Sequence, residues 1–325
     1  MLDSVGRSIH YLRLSVTDRC NLRCRYCMPD GVAKCSHGEI LTYEECLRLA
    51  KLFAACGVDT VRVTGGEPLV RKGVEGLVAG LKTIPGIRRV TMTTNGVLLA
   101  DALPALLDAG LDGVNISLDT LSPQTFVRIT GRDEFDAVRR GISAALESGL
   151  PVKLNCVPQA GVNEDELEAL AALAQEKPLQ VRFIEMMPIG CGAALPCLSV
   201  PELLARLKCR WPQLVPLDAG CAALLGDGPA VYYTAPGWRG SIGLIAAVHG
   251  KFCSGCNRVR LTGQGFLRPC LASETGADLR APLRAGASDA ELLELIRAAI
   301  QAKPREHHFE TAGATSTRGM YRIGG

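Results

Sequence analysis

Alternating apolar and polar positions predict short strands along the first 185 residues. Six such segments occur: Tyr11–Val16, Thr60–Thr64, Arg89–Thr93, Gly113–Leu118, Pro151–Val157 and Gln180–Glu185. Helical spacing of apolar positions follows most of them, and it is clearest over Leu98–Ala109, Asp136–Ser148 and Asn163–Ala174. Strands that alternate with helices indicate parallel βαβ units and an α/β fold. Six units fall short of the eight of a closed barrel, so we expect a partial, open (β/α)6 TIM-like barrel.

Helix starts are marked by two capping boxes, Thr42-Tyr-Glu-Glu45 and Ser288-Asp-Ala-Glu291. Beyond about residue 190 the alternation weakens. There the pattern predicts a short helix over Pro201–Cys209, a linker over Ala219–Pro229, and strands over Ala230–Thr234 and Ser241–Ala246. We therefore predict two domains, a barrel core over residues 1–219 and a smaller C-terminal domain over residues 220–325.

The interior face of the predicted barrel is polar. Side chains alternate along a strand, so turning the apolar positions toward the helices turns the others inward. The inward set is Arg13, Ser15, Arg62, Thr64, Thr91, Thr93, Asn115, Ser117, Lys153, Asn155 and Arg182. A barrel interior is normally filled by branched apolar residues, and buried unpaired charge is costly. Either these cations pair with internal carboxylates, or the strand register differs, or the interior holds a large anionic ligand; the pattern favours the ligand.

Composition narrows the function classes. The chain of 325 residues is 47% hydrophobic and 21% charged, with a net charge of +3. This balance is ordinary for a globular protein with a large core, and it lacks the basic field of nucleic-acid binders. No apolar run is long enough to cross a membrane, and Met1–His10 has no secretory pattern. We expect a cytoplasmic protein that contacts neither nucleic acid nor membrane.

The fourteen cysteines fall into two groups. A secreted disulfide scaffold is disfavoured because the chain is long and has no export signal. Eight thiols are dispersed and are interpreted as small hydrophobic residues: Cys35, Cys46, Cys56, Cys156, Cys191, Cys197, Cys209 and Cys221. The other six form two triplets.

The first triplet is Cys20, Cys24 and Cys27, spaced CxxxCxxC directly after the first strand. Three thiolates on one loop can hold three irons of a 4Fe–4S cluster and leave the fourth iron open. Zinc is the alternative that the spacing leaves open, with His10 or His37 as a fourth ligand.

The second triplet is Cys253, Cys256 and Cys270. Its CxxC part alone also suits a redox pair or half a zinc site with His249. Arg258 and Arg260 follow it two positions apart, so they share a face of an extended segment. Solvated arginines are the simpler interpretation, but a phosphate ligand suits guanidinium groups beside a cluster.

The first triplet, with Tyr26 before its last cysteine and Thr64-Gly-Gly-Glu-Pro68 after the second strand, resembles the radical S-adenosylmethionine superfamily. Four further segments are similar to the branch that cyclises GTP in the first step of molybdenum cofactor synthesis: Leu12-Arg-Leu-Ser-Val-Thr-Asp-Arg-Cys-Asn21, Thr93-Thr-Asn-Gly96, Asn115-Ile-Ser-Leu-Asp119 and Arg182-Phe-Ile-Glu-Met-Met187. The similarity runs from about Gly6 to Gly325.

The resemblance implies the cofactors and their ligands. It implies one 4Fe–4S cluster on each triplet, and S-adenosylmethionine held by Tyr26, Gly66, Ser117 and Met187. It implies that GTP contacts Arg13, Arg62, Thr93, Lys153, Arg258, Val259 and Arg260. No side chain acts as the catalyst, because the radical arises at the first cluster. The product would be (8S)-3′,8-cyclo-7,8-dihydroguanosine 5′-triphosphate.

The resemblance also implies partners and a use for the chain's end. A reductant supplies electrons, cyclic pyranopterin monophosphate synthase takes the product, and a homodimer is one option for the oligomeric state. The Gly324–Gly325 tail would enter the active site, with Arg318 and Arg322 adding positive charge; a frayed terminus is the alternative.

Two rival functions remain at this stage. One is another two-cluster radical enzyme, such as a peptide-modifying maturase, which would need an additional peptide-binding domain that the pattern lacks. The other is a zinc-binding module without catalysis, which iron and sulfide analysis of anaerobically purified protein would separate.

Overall fold

The computed structural model describes residues 1–28, 35–309 and 319–323. All six predicted strands form, with ends within one residue of the prediction. They are β1 (Tyr11–Ser15), β2 (Thr60–Thr64), β3 (Arg89–Thr94), β4 (Val114–Ser117), β5 (Val152–Cys156) and β6 (Gln180–Ile184). They pair in sequence order and in parallel, so the predicted α/β fold with an open, partial barrel is confirmed.

The predicted helices form, and the described residues contain four others. Together they are α1 (Tyr43–Ala55), α2 (Val74–Lys82), α3 (Leu99–Asp108), α4 (Pro123–Thr130), α5 (Phe135–Glu147), α6 (Leu167–Glu176), α7 (Val200–Arg210), α8 (Ala219–Leu224), α9 (Arg280–Arg284) and α10 (Asp289–Gln301). Both capping boxes form: Thr42 Oγ1 accepts from the Glu45 amide at 3.1 Å, and the Glu45 carboxylate accepts from the Thr42 amide at 2.7 Å. Within the described residues no helix is long and apolar enough to span a bilayer.

The C-terminal part of the chain adds strands to both edges of this sheet. They are β7 (Val215–Pro216), β8 (Val231–Thr234), β9 (Ser241–Ile245), β10 (Arg258–Leu261), β11 (Phe266–Arg268) and β12 (Ala277–Asp278). In the described chain the order is β12-β11-β10-β1-β2-β3-β4-β5-β6-β9-β8-β7. Strand β10 lies parallel to β1, and β9 lies parallel to β6. The division into two domains near residue 220 stays a prediction.

The core lies between the sheet and the helices that cover its outer face. Leu12, Leu14, Val61 and Val63 are fully buried there, as the alternation predicts. Burying each of these side chains contributes roughly 1.5–3 kcal/mol. Because the apolar positions face the helices, the polar positions of the same strands face the barrel interior.

The prediction of a linker over Ala219–Pro229 is wrong for its first half. The Asp218 carboxylate accepts a hydrogen bond from the Cys221 amide at 2.9 Å and caps α8. Alanine-rich sequence favours helix once the N-terminus is capped. The residues that follow, from Leu225 to Pro229, line the cavity described below.

Candidate active site

A large cavity occupies the barrel interior among the described residues. Its volume is about 320 Å³, which suits a small-molecule site. The lining comes from all six predicted strands and from the loops that follow them. In a parallel α/β sheet these loops at the carboxyl ends are where ligands normally bind.

Most of the predicted inward residues line this cavity. They are Arg13, Arg62, Thr64, Thr91, Thr93, Asn115, Ser117, Lys153, Asn155 and Arg182. Ser15 is the exception, because it borders a small separate pocket beside Asp18. The cavity is also lined by Tyr11, Thr60 and Arg89, which occupy the same inward face of their strands but were not among the predicted residues.

The residues assigned by resemblance lie mostly on the same wall. Tyr26, Gly66, Ser117 and Met187 line the cavity, and so do Arg13, Arg62, Thr93, Lys153, Arg258 and Arg260. Val259 does not; its side chain is fully buried in the apolar core. Its contact with a ligand through the backbone stays a prediction.

Three arginines on adjacent strands lie side by side on the cavity wall. Arg13 pairs in register with Arg260 on one side and with Arg62 on the other, and neighbouring strands are only about 4.8 Å apart. Burial and the charges of Arg260 and Arg62 hold the pKa of Arg13 well below its usual range. An anion placed against this wall would relieve that repulsion.

Lys153 and Arg182 extend the positive wall across β5 and β6. Burial, together with the charges of Arg182 and Arg62, lowers the pKa of Lys153 to about 6. Lys153 Nζ donates to the Leu225 carbonyl, and Arg182 donates twice to Asn155 Oδ1, at 2.9 and 2.6 Å. These partners are neutral, which supports the anionic-ligand interpretation of the interior.

The first triplet lies on the loop after β1, at the carboxyl end of the strands. Cys20, Cys24 and Cys27 all line the cavity. Burial is the main cause that raises the pKa of Cys27 to about 12, and the charge of Cys20 adds to it. Burial is also the main cause that raises the pKa of Cys24 well above its usual range, and the charge of Cys27 adds to it. Three crowded thiols that resist ionisation would bind as thiolates only around a strongly positive centre. The donor set therefore fits an iron–sulfur cluster.

The histidines named as possible fourth ligands bear on the zinc alternatives. A 4Fe–4S cluster on three cysteines needs no histidine, because each thiolate binds a different iron. Two of the three histidines considered as zinc ligands are engaged elsewhere, His10 with Asp59 at 3.4 Å and His249 with Glu185 at 3.0 Å.

The loop after β2 is packed directly against the first triplet's loop. The Gly66 amide donates to the Thr17 carbonyl at 2.7 Å, and the Glu67 amide donates to the Arg19 carbonyl at 2.7 Å. A Cβ atom on Gly66 would lie 2.3 Å from the Arg19 carbonyl oxygen, so no larger residue fits. This close approach leaves backbone at the cavity wall beside the cysteines.

Two buried carboxylates connect the loops at this end of the barrel. Glu67 accepts hydrogen bonds from the Thr94 hydroxyl at 2.8 Å and from the Asn95 amide at 2.7 Å. Burial raises the pKa of Glu67 to about 7, although these hydrogen bonds act to lower it. Asp119 accepts from the Tyr26 hydroxyl at 2.8 Å, and burial raises its pKa to about 6. Both lie in motifs quoted above, but only their three-dimensional partners reveal what they do.

The second triplet lies at the other end of the strands. Cys253 and Cys256 precede β10, and Cys270 follows β11. These three do not line the cavity themselves, but their neighbours Phe252, Arg258 and Leu271 do. Arg258 pairs in register with Tyr11, so the second triplet lies near the amino end of β1. The first triplet follows the carboxyl end of β1, and the length of that strand therefore separates the two triplets. Five residues at about 3.3 Å each place them on the order of 15–20 Å apart.

The thiols of the second triplet have a more positive environment than those of the first. Burial raises the pKa of Cys256, but the charges of Arg258 and Lys303 outweigh it, so that this pKa is lowered to about 7. Arg258 Nη2 lies 3.8 Å from the Cys256 sulfur. Burial, and then the charges of Cys270 and Cys256, raise the pKa of Cys253. The Cys253 sulfur therefore lies close enough to Cys270 and Cys256 for their charges to act on it.

The described part of the C-terminal end reaches the same cavity. Met320 and Tyr321 line it, and Ile323 is fully buried against Ile189 and Phe309. This packing argues against a frayed end for residues 319–323. Gly324, Gly325 and Arg318 lie outside the described residues, so the predicted entry of the tail stays a prediction.

Comparison with protein families matches nearly the whole chain. The Radical SAM superfamily model matches residues 14–174, and the model described as Molybdenum Cofactor Synthesis C matches residues 179–309. GTP 3′,8-cyclase of Moorella thermoacetica is 47% identical over 327 residues, and that of Heliobacterium modesticaldum is 47% identical over 331 residues. Each alignment covers 100% of both chains.

A eukaryotic relative and two solved structures extend the comparison. Molybdenum cofactor biosynthesis protein 1 of Bos taurus is 46% identical over 94% of this chain and 48% of its own length. Streptococcus suis SuiB bound to S-adenosylmethionine superposes with a TM-score of 0.61 at 16% identity, over 90% of this chain and 68% of SuiB. The enzyme anSMEcpe with bound AdoMet and a peptide gives 0.55 at 16% identity, over 80% of this chain and 74% of its own. At these identities the structural similarity concerns the fold alone.

Proposed function

The chain belongs to the GTP 3′,8-cyclase family of the radical S-adenosylmethionine superfamily, and from this premise we propose that it converts GTP to 3′,8-cyclo-7,8-dihydro-GTP in the first step of molybdenum cofactor synthesis. The observation that carries the proposal is the cavity itself. It borders one cysteine triplet at the carboxyl end of the strands and a wall of buried cations in the middle. It reaches the neighbours of a second triplet at the amino end.

The first triplet would hold the 4Fe–4S cluster that cleaves S-adenosylmethionine. When bound, a reduced cluster supplies the electron for that reductive cleavage. Asn95 Nδ2 lies 3.7 Å from the Cys20 sulfur and the Leu22 amide lies 3.4 Å from it, so both can stabilise a thiolate there. The bare backbone at Gly66, with Tyr26, Ser117 and Met187, would hold S-adenosylmethionine beside these cysteines.

The cation wall would hold the triphosphate of GTP. Arg13, Arg62 and Arg260 stand at one level of the sheet, and guanidinium groups suit phosphate oxygens because they donate in pairs. The second triplet, beside Arg258, would hold the second 4Fe–4S cluster next to the nucleotide. The burial of this wall also keeps water away from reactive groups.

Partners beyond GTP and S-adenosylmethionine stay predictions. Reductive cleavage consumes an electron, so a reductant is required. The synthase that takes the product, and a homodimeric state, rest on the family resemblance alone. The peptide-modifying alternative is less well supported, because the full-length relatives at 47% identity are cyclases and the peptide-bound neighbour shares only the fold.

Anaerobic turnover with GTP deuterated at the ribose 3′ carbon tests the proposal. Reconstituted protein, S-adenosylmethionine and a strong one-electron reductant should yield a GTP isomer, resolved by chromatography and mass analysis. The deuterium should appear in 5′-deoxyadenosine, because that carbon loses its hydrogen to the radical. Formation of unlabelled 5′-deoxyadenosine with GTP unchanged would contradict the proposal.

Replacing Arg258 or Arg260 with alanine is expected to weaken GTP binding. A charge-assisted hydrogen bond is worth roughly 1.5–3 kcal/mol, and each 1.4 kcal/mol is about tenfold in affinity. We expect about a ten- to hundredfold rise in Kd per arginine by anaerobic calorimetry, and less for Lys153→Ala, since an ammonium lacks the planar fork.

Arg139→Ala is the matched control, because Arg139 is largely exposed and pairs loosely with Asp136. Its Kd for GTP should equal that of the parent. S-adenosylmethionine affinity should hardly change in any of these variants. Equal GTP affinity in the parent and in all three cavity variants would show that the polar interior serves another ligand.

GTP binding is expected to take up a proton at Lys153. In the free protein the pKa of Lys153 is about 6, so near pH 8 its amine is mostly neutral. A bound triphosphate favours the ammonium and raises this pKa, so binding takes up close to one proton there. The uptake should fade as the pH falls through about 6, where Lys153 is already charged.

Calorimetry in two buffers of different ionisation enthalpy measures this uptake. In Lys153→Met the dependence on buffer should disappear near pH 8, where the phosphates are already ionised. A parent protein whose binding enthalpy is the same in both buffers would contradict the expected titration of Lys153.

A further inference from the structure

One buried ammonium joins the two chain segments that carry the second triplet. Lys303 follows helix α10 and is 3% exposed. Its Nζ donates to the Arg258 carbonyl at 2.8 Å and to the Pro269 carbonyl at 2.5 Å. Arg258 stands two positions after Cys256, and Pro269 immediately precedes Cys270. Lys303 therefore bridges the backbones beside both cysteines.

The third cysteine is tied to the same turn by Arg7. Arg7 Nη1 donates to the Cys253 carbonyl at 2.9 Å and to the Arg305 carbonyl at 2.9 Å, and Nη2 donates to the Pro304 carbonyl at 2.7 Å. The turn at residues 303–305 thus connects all three segments of the triplet.

The two cations differ in how their charge is balanced. Arg7 forms an ion pair with Asp3 at 2.6 Å. Among the described residues, Lys303 Nζ donates to two backbone carbonyl oxygens and lies beside the Cys256 thiol, and no carboxylate forms an ion pair with it. A buried ammonium without a counter-charge is unfavourable. Thiolates of Cys256 and Cys270 can supply negative charge there, because both cysteines interact electrostatically with Lys303.

We propose that Lys303 is a positioning residue of the second triplet and supplies the positive charge that balances a 4Fe–4S cluster bound there. The inference rests on the proposed function in assigning that cluster to Cys253, Cys256 and Cys270. A cluster on three thiolates carries net negative charge and gains one more on reduction. A fixed ammonium beside it stabilises the reduced form, since surrounding charge and hydrogen bonding set cluster potentials.

Lys303→Met and Lys303→Arg test this proposal in a chain whose first triplet is replaced by alanine, so that only the second cluster contributes signal. Iron per chain and a redox titration followed by electron paramagnetic resonance are measured after anaerobic reconstitution. Lys303→Met should lose at least half of this iron, and the remaining clusters should be reduced at a more negative potential. Lys303→Arg, which keeps the charge, should restore most of both properties.

Lys82→Met is the matched control, because it removes a lysine whose ammonium pairs with Asp112 and contacts none of these segments. It should keep the parent's iron content and potential. Unchanged iron and potential in Lys303→Met would overturn the proposal. Lys303→Met should also be made in the chain that keeps both triplets. If both triplets then lose iron equally, Lys303 only supports the fold and the proposal is overturned. These readouts do not involve GTP, so failure of cyclisation in the parent would be a separate result.

Discussion

A chain in which Cys20, Cys24 and Cys27 are all replaced by alanine is expected to lose reductive cleavage of S-adenosylmethionine completely. These thiols line the cavity beside Gly66 and Tyr26, and cleavage needs an electron delivered at that place. No other cysteines of the chain have this spacing after a strand of the barrel. The measurement is 5′-deoxyadenosine after anaerobic reconstitution and reduction, and its amount should fall to that of a protein-free control.

A matched variant replaces three exposed cysteines outside both triplets, Cys197, Cys209 and Cys221, with alanine. It should keep the parent's iron content and its rate of cleavage. Continued formation of 5′-deoxyadenosine by the first variant would show that the catalytic cluster is held elsewhere.

The corresponding change in the second triplet is expected to separate the two halves of the reaction. With Cys253, Cys256 and Cys270 replaced by alanine, the chain should bind about half the iron, still cleave S-adenosylmethionine, and no longer cyclise GTP. The reason is distance, because the second triplet lies a strand's length away from the first and beside the cations proposed for GTP. Iron analysis, 5′-deoxyadenosine and nucleotide products are measured on the same preparation.

Two results would contradict this second prediction. Full iron content would mean that these cysteines hold no cluster. Cyclisation at the parent's rate would mean that the second cluster is not needed for the substrate. Loss of the first cluster's spectroscopic signal as well would point to a general failure of folding, which the circular dichroism of the purified variant distinguishes.

The residues of the cavity wall could be predicted from sequence because they follow the local alternation of side chains along a strand. Side chains alternate along a strand, and the apolar set of Leu12, Leu14, Val61 and Val63 fixed which face is outward. That assignment placed Arg13, Arg62, Lys153 and Arg182 in the interior without knowledge of any contact, and the structure places them there. The same rule, applied two residues before Arg13 on β1 and two residues before Thr91 on β3, also places Tyr11 and Arg89 in the interior.

The rest depended on pairings between distant parts of the chain. Nothing local in Arg258–Leu261 indicates that it lies beside Tyr11–Ser15, about 245 positions away. The same holds for Glu67 and Lys303, whose partners belong to other segments. Ser15 departs from the interior because β1 ends at that residue and the chain turns toward Asp18. Alternation predicts side-chain direction only while the strand continues.

The order of strands in the sheet also governs how the molecule must fold. Strands β9 and β10, from the last third of the chain, cover both edges of the six-stranded core formed by the first part. Until they are made, β1 and β6 would be exposed edges bearing apolar residues, which favour intermolecular pairing. Pairing over such sequence separations has a high contact order and is slow. During synthesis the core therefore remains prone to aggregation until the ribosome has released the segments that close its edges.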